Sequence, residues 1–351
     1  MSEARSMIAE TVERLFADSI DAESLAEAES GSWPNHLWDA VEETGLTRAL
    51  LRADNGGADG DWLDVFEIAR AAGRHSVPLP LVETILATWL LERSGLEIPS
   101  GPLGLVPVPF QAEVGAQLER VPWGRAAGHL VGLVAGGEGV ARVACLPRSG
   151  LAVTEGHNLA LDPRDTLTLG NQAPVLGPCD LAANTVRTYG ALLRAGQMTG
   201  ALERILDQSV LYATERVQFG RPIGNFQIIQ QELARLAGQV AEATTATEIA
   251  FRAATEAHAG IQGRVGTAGD PAFEIACAKV VVGDAAELGP RIAHQVHGAI
   301  GFTYEHSLHF STRRLWAWRA EFGLADEWAE ELGDAVQGDH GGEIWPLVTS
   351  R

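Results

Sequence analysis

The chain has 351 residues and an apolar fraction of 46%, enough for two or three domains with a buried core. Its formal net charge of -20 argues against nucleic acid and against an anionic membrane surface, although a local arginine cluster can oppose that field for a small polyanionic ligand. Cys145, Cys179 and Cys277 are far apart without ligand spacing and read as free thiols of a reducing cytoplasm, and no apolar run of about 18 residues predicts a membrane span.

Residues 1–98 read as mostly helical. The start, Met1-Ser2-Glu3-Ala4-Arg5, runs into an amphipathic pattern and not a signal sequence, with Ile8, Val12, Leu15 and Phe16 at helical spacing. Leu37, Val41 and Leu46 continue it to a loop at Asn55-Gly56-Gly57. Leu63, Phe66, Ile68 and Ala69 restart a helix, and after Pro78 and Pro80 the stretch Leu81 to Leu91 is apolar nearly all round, which predicts burial. Residues 99–180 are richer in Gly and Pro, with β-prone runs at Leu103 to Val108, His129 to Val134, Val140 to Leu146 and Thr166 to Leu169. They read as a small antiparallel β domain of barrel or sandwich type.

Residues 181–338 return to helix. One stripe is Leu202, Ile205, Leu206, Val210 and Ala213; a second, Ile229, Leu233, Leu236, Val240, Ala243, Thr247 and Ala250, steps by four and three as bundle helices do. Gly260 to Asp270 reads as a loop, Pro271 fits the first turn of a helix lined by Phe273, Ala276, Val280, Leu288 and Ile292, and residues 339–351 read as a loosely ordered tail.

Between the first two of these helices lies Arg216-Val217-Gln218-Phe219-Gly220-Arg221-Pro222-Ile223-Gly224-Asn225-Phe226-Gln227. It sets a fixed positive charge beside a glycine turn. Arg pairs with phosphate oxygens in a planar fork and Gly lets backbone approach closely, so the corner suits a phosphate-bearing ligand. Phe226 and Gln227 open a helix whose N-terminus favours an anion. The bland readings are an Arg capping helix-end carbonyls and ordinary filling at a helix start. Gln295-Val296-His297-Gly298-Ala299-Ile300-Gly301-Phe302-Thr303 is a second glycine turn, read either as a phosphate contact or as a helix C-cap.

Both stretches carry a close resemblance to the acyl-CoA dehydrogenase family, whose ER-x-x-FG-x-PI-x-x-FQ signature the first one spells. The second resembles the family's Gln-x-x-Gly-Gly-x-Gly-Tyr turn, with Ala299 for the second Gly and Phe302 for the Tyr. The resemblance implies a mostly α fold with a helical N-terminal domain, a small β middle domain and a four-helix C-terminal bundle. It implies FAD as cofactor, contacted by Arg216, Phe219, Gly220, Phe226, Gln227, Gln295, His297, Gly298 and Ala299, in part across a subunit contact. The reaction it implies is α,β-dehydrogenation of an acyl-CoA thioester, in which a Glu base removes a proton while the flavin takes a hydride, with an electron-transfer flavoprotein as the usual acceptor.

The base is where the chain departs from the family. Counting from the second turn, Arg313 falls on the family's Arg and the Glu position falls on Phe322, with Glu321 one residue early. On a helix that shift would turn a side chain by about 100°. The family's other base position falls on Gly190. The β segment has Arg120-Val121-Pro122-Trp123-Gly124 and lacks the usual flavin-covering pair; Trp123 reads as a ligand-stacking ring or a core aromatic. The expectation is therefore a non-base subunit that shares a flavin site with a second acyl-CoA dehydrogenase-like chain in an α2β2 assembly, as in actinobacterial steroid side-chain CoA dehydrogenases. The alternatives are a homo-oligomer using Glu321 as a shifted base, and a flavin-free scaffold or CoA-binding protein.

The remaining features carry less. His306 and His309 share a helical face on paper but lack a third ligand, so no metal is expected. Arg313-Arg314-Leu315-Trp316-Ala317-Trp318-Arg319 reads as a packing helix that can pair with phosphate, or as a solvated amphipathic one. His294 and His297 read as satisfied helix-end histidines.

Overall fold

A computed structural model describes residues 3–135, 141–179, 181–258, 271–339 and Trp345. The helices are α1 (Glu3–Ser19), α2 (Ala22–Glu29), α3 (Asn35–Glu43), α4 (Trp62–Arg74), α5 (Leu81–Arg93), α6 (Thr185–Glu215), α7 (Gln227–His258), α8 (Ala272–His297), α9 (Leu308–Trp318) and α10 (Ala325–Asp339). The strands are β1 (Leu103–Leu105), β2 (Gln117–Pro122), β3 (His129–Ala135), β4 (Ala141–Pro147), β5 (Ala152–Thr154), β6 (Arg164–Thr168), β7 (Val175–Gly177) and a two-residue ribbon, β8 (Val217–Gln218) and β9 (Arg221–Pro222). The expected loop at Gly260 to Asp270, and the tail after Gly338 apart from Asp339 and Trp345, lie outside the described residues, as does Val140.

The chain divides into two compact units. One consists of Ser19–Val65 and Pro78–Gly190. It holds α5, which is buried at every position from Leu81 to Leu91, as its all-round apolar pattern predicts. Beyond α5 lie two small sheets, one in the order β1-β3-β4-β7 and one in the order β2-β6-β5. They share an apolar cluster in which Phe110, Leu130, Val134 and Leu146 meet Leu118, Val121 and Leu167. The expectation of an all-antiparallel domain needs correction, because β1 and β3 run parallel. A parallel pair needs a crossover, and here the intervening chain supplies it by leaving for β2 in the other sheet.

The other unit consists of Met1–Asp18, Phe66–Val77 and Ala191–Arg351. In it α6, α7 and α8 pack together: Leu202 and Ile205 of α6 and Leu236 of α7 close on Gly289 of α8. Thr199 donates to Thr247 across α6 and α7 at 3.1 Å. The α7 stripe forms as expected from Leu236 to Ala250, with Ile229 and Leu233 half-buried at its open end. On α6 the expected stripe is interrupted rather than continuous: Leu202, Ile205 and Ala213 are buried and Leu206 is half-buried, but Val210 is 42% exposed. On α8 the buried face runs through Ile275, Val282, Ala286 and Ile292, while Phe273, Val280 and Leu288 are half-buried.

The last turns of α4 cross α6 backbone to backbone. A Cβ at Gly73 would stand 1.8 Å from the Gln197 carbonyl oxygen, and one at Gly200 would stand 1.8 Å from that of Arg70. Ion pairs flank the crossing, with Arg70 on Glu203 at 3.0 Å and Arg74 on Asp207 at 2.7 Å. Glu67, packed beside Arg70, has its carboxyl raised by burial, with Arg70 pulling it back down.

Candidate functional site

The α6–α7 connection is built by its sequence. Arg216 closes α6, its N–H donating to the Tyr212 carbonyl at 2.9 Å. Phe219 and Gly220 then form the two-residue tip of the β8–β9 ribbon, with φ of +51° and +78°. Positive φ at both centres marks a type I′ hairpin, which Gly220 adopts freely and Phe219 under strain. Pro222, at φ -54°, stiffens the return, and Ile223 N–H donates back to the Arg216 carbonyl at 2.8 Å. A short 3₁₀ turn over Ile223–Asn225 leads into α7 at Gln227.

The side chains of this corner face water. Phe219 is 93% exposed. The Arg221 guanidinium lies 4.3 Å over the Phe226 ring. With the Gln218 amide oxygen turned toward it, Arg216 donates from Nη2 at 2.8 Å and from Nε at 3.2 Å. The sequence-predicted residues Arg216, Phe219, Gly220, Phe226 and Gln227 thus share one turn. Arg216, an open left-handed glycine and a helix N-terminus form a donor set that fits a phosphate diester.

The second turn caps α8. Gly298 takes φ +65°, its N–H donates to the His294 carbonyl, and a 3₁₀ turn over Gly298–Phe302 follows. Gln295, Gly298 and Ala299 are exposed, whereas His297 is buried. The two histidines are only half satisfied, which corrects the expectation. His297 Nδ1 lies 2.8 Å from the Ala293 carbonyl and His294 Nε2 lies 2.9 Å from Thr312, but His297 Nε2 and His294 Nδ1 are buried without a hydrogen-bond partner among the described residues. Tyr212, which sequence reasoning missed, stacks on His297 at 4.6 Å and so ties the α6 end to this turn. A Tyr one helical turn before the motif Arg was the available signal.

Burial pushes His297 down to about 4, and the His306 imidazole is lowered by burial and by the neighbouring His309 and Arg204. The unfolded chain then binds a proton at His297 that the native chain refuses. Its contribution is therefore complete above about pH 6.5 and is lost as pH falls toward 4. Relative to His297→Phe, wild-type unfolding free energy should drop by up to about 3 kcal/mol across that window. Parallel denaturant titrations of the two proteins check this, and superimposable pH curves would contradict it.

His306 precedes α9, so it does not share a helical face with His309 as expected. Its Nδ1 accepts from Leu308 N–H at 3.1 Å, while His309 Nδ1 meets the His306 carbonyl at 2.8 Å. Among the described residues no His, Cys, Asp or Glu group is placed to hold a metal. The Arg313–Arg319 stretch is a packing helix: on α9, Leu308, Phe310, Arg314, Leu315 and Trp318 are all buried.

Glu321 sits after α9. Arg194 Nε donates to its Oε2 at 2.7 Å, with the two side chains 2% and 8% exposed. Arg194 also donates to Gln197, and its guanidinium lies 5.7 Å and 5.8 Å from the Trp318 and Phe322 rings. Phe322 is left-handed at φ +57° and is followed by Gly323 at +104°. Lys279 holds the same loop from α8: it is wholly buried and donates to the carbonyls of Trp318 at 3.3 Å and Arg319 at 3.0 Å, a cation at a helix C-terminus. Gly190 is a buried residue of α6. Arg194, Glu321's partner, and Arg216 are separated by roughly 30 Å of α6 axis. Within this chain the Arg216 corner and the Arg194–Glu321 pair are therefore well apart.

This chain belongs to the acyl-CoA dehydrogenase family. The model for the acyl-CoA dehydrogenase N-terminal domain matches residues 2–97 and that for the C-terminal domain matches residues 182–322. Acyl-CoA dehydrogenase IpdE2 of Mycolicibacterium smegmatis is 30% identical over 326 residues, covering 90% of this chain and 93% of that one. Among solved structures, the ChsE4-ChsE5 complex from Mycobacterium tuberculosis superposes with a TM-score of 0.84 at 22% identity, over 96% of this chain and 98% of that one. The Tcur3481-Tcur3483 steroid ACAD variant gives 0.84 at 20% identity, over 95% and 98%. These likenesses establish the fold. Among the described residues no helix is long and apolar enough to cross a membrane.

Proposed function

We propose that this chain is the non-base subunit of a heteromeric, FAD-dependent acyl-CoA dehydrogenase. The observation that carries the proposal is the Arg194–Glu321 clasp. The carboxylate nearest the family's base position is buried against a guanidinium, and the two base positions themselves hold Gly190 and Phe322. A general base must reach its proton with a free lone pair, and a carboxylate held at 2.7 Å by a buried cation is poorly disposed to do so. The missing Glu then comes from a second chain of the same fold.

In this reading Arg216, Gly220 and the start of α7 hold the FAD phosphates. Phe219 and Phe226 seat the partner-facing side of the corner, and Gln295, His297, Gly298 and Ala299 meet the cofactor's nucleotide part. When bound, FAD supplies the acceptor for the substrate's β-hydride. A steroid-derived acyl-CoA thioester is the substrate class favoured by the likeness to the Tcur3481-Tcur3483 steroid ACAD, and an electron-transfer flavoprotein is the oxidant of the reduced flavin in this reading.

The test is to express the chain alone and together with a second acyl-CoA dehydrogenase-like chain from the same organism, then record flavin absorbance, mass and turnover. A yellow heterotetramer formed only on co-expression is the expected result. A single chain that oxidises an acyl-CoA at an ordinary enzymatic rate overturns the proposal. A complex that stays colourless with its partner present points instead to a flavin-free scaffold.

A further inference from the structure

The unit that holds the sheets contains a cleft of about 280 Å³ to which none of the foregoing assigns a role. Its walls come from the α2–α3 connection (Ser32 and Trp33), from the end of β2 and the turn after it (Trp123 and Arg125) and from the β5–β6 connection (His157 and Leu161). Three properties distinguish it from a packing defect.

First, Trp33 and Trp123 meet edge to face, with centroids 6.2 Å apart and planes at 76°, and so make a corner of two indoles. Second, two of the lining residues are held in the left-handed region without being glycine: Trp123 at φ +54° and Leu161 at +64°. Such backbone strain collects at ligand clamps. Third, Arg125 is locked in place. Its Nε and Nη2 donate to the wholly buried Asp165 at 3.0 Å and 2.6 Å, Nη1 donates to Glu155 at 2.6 Å, and Nη2 donates to the Gly156 carbonyl at 3.0 Å. Among the described residues four of its five N–H groups are thus committed, and two carboxylates offset its charge. What Arg125 offers a ligand is a rigid flat face and one N–H, not the open fork that binds phosphate or carboxylate.

We propose that this cleft binds an uncharged planar heteroaromatic ring of purine size, stacked against the Trp33–Trp123 corner and the Arg125 plane. Base–aromatic stacking supplies the affinity, and Ser32 and His157 offer polar contacts at the ring edge. The cleft has room for a ring with its sugar, and the chain's overall charge of -20 disfavours a phosphate entering with it.

The probe is adenosine, titrated against the protein as isolated by ligand-observed NMR and calorimetry, with AMP as the anionic counterpart. Using a free nucleoside keeps the outcome independent of flavin, partner and thioester. Saturable binding of adenosine, weakened about tenfold or more by Trp33→Ala, is expected. AMP should bind no better than adenosine. Trp33 is half-buried, so Ser32→Trp, at an exposed position, serves as a second variant that fills the cleft while leaving the fold intact, and it too should abolish binding. The proposal is overturned by no saturable binding, by binding indifferent to both variants in folded protein, or by AMP binding far more tightly than adenosine, which would make Arg125 an anion site.

Discussion

Arg194→Met should lower the unfolding free energy of the chain by about 3–5 kcal/mol, because it leaves the Glu321 carboxylate buried without its guanidinium. Two further losses fall in the same place: the bond to Gln197, and the cation packed between Trp318 and Phe322. Glu321→Gln is the milder change, since an amide oxygen can still accept from Arg194 Nε, and should cost about 1–3 kcal/mol. Denaturant unfolding of both variants gives these numbers. The pair also separates two roles for Glu321. A carboxylate acting as base would, on becoming Gln, erase turnover and leave stability alone. A carboxylate acting as a clasp would lower stability and leave turnover per folded complex unchanged. The second pattern is expected of the complex with its partner, and the first would return Glu321 to the chemistry.

Gly200→Ala and Gly73→Ala should each prevent normal folding or remove well over 4 kcal/mol, the larger of the two effects argued here. Helix propensity alone predicts the opposite sign, since alanine is worth about 1 kcal/mol over glycine in a helix interior. The contact decides: a Cβ built 1.8 Å from a carbonyl oxygen cannot be accommodated without moving α4 off α6, and the obstacle is backbone. Gly238, on α7, is the control. It is exposed, with nothing within 4 Å of its would-be Cβ, so Gly238→Ala should stabilise by about 0.5–1 kcal/mol. Thermal melts of the three variants test this. A Gly200→Ala protein as stable as Gly238→Ala would mean that the crossing is looser than drawn.

The chain shows in its sequence whatever is local and periodic. The α7 stripe, the buried α5 and the glycine turn at Gly220 all follow from local sequence, since each is set by residues within a few turns of one another. In the two larger sheets three strands went unread, as did the two-residue strands β8 and β9. β2 mixes charge with its apolar residues, and β5 and β7 are three residues long, too short for alternation to register. The parallel β1–β3 pair was hidden for a different reason, because direction depends on where the intervening chain goes and not on either strand. The candidate site divides in the same way. The turn that joins α6 to α7, on which the proposed phosphate contacts rest, was legible because one short stretch holds it all. Arg194 was not, because its partner lies 127 residues away and neither residue looks unusual in its own neighbourhood. Tyr212 and the Gly73–Gly200 crossing join elements distant in sequence. For the crossing, Gly196 and Gly200, one turn apart on α6, were a visible hint.

Lys279 has a practical consequence. It is the only lysine in the chain, every other basic side chain of the Lys/Arg class being arginine, and it is wholly enclosed beneath the end of α9. Amine-directed esters and lysine cross-linkers thus find no side chain to attack on the folded molecule, only the terminal amine. Opening of the α8–α9 region uncovers one new nucleophile. Acylation at Lys279, read by mass spectrometry as a single added label, is therefore a counter for unfolding events that needs no engineered reporter. In a mixed assembly, any cross-link formed through a lysine side chain would have to start from the partner.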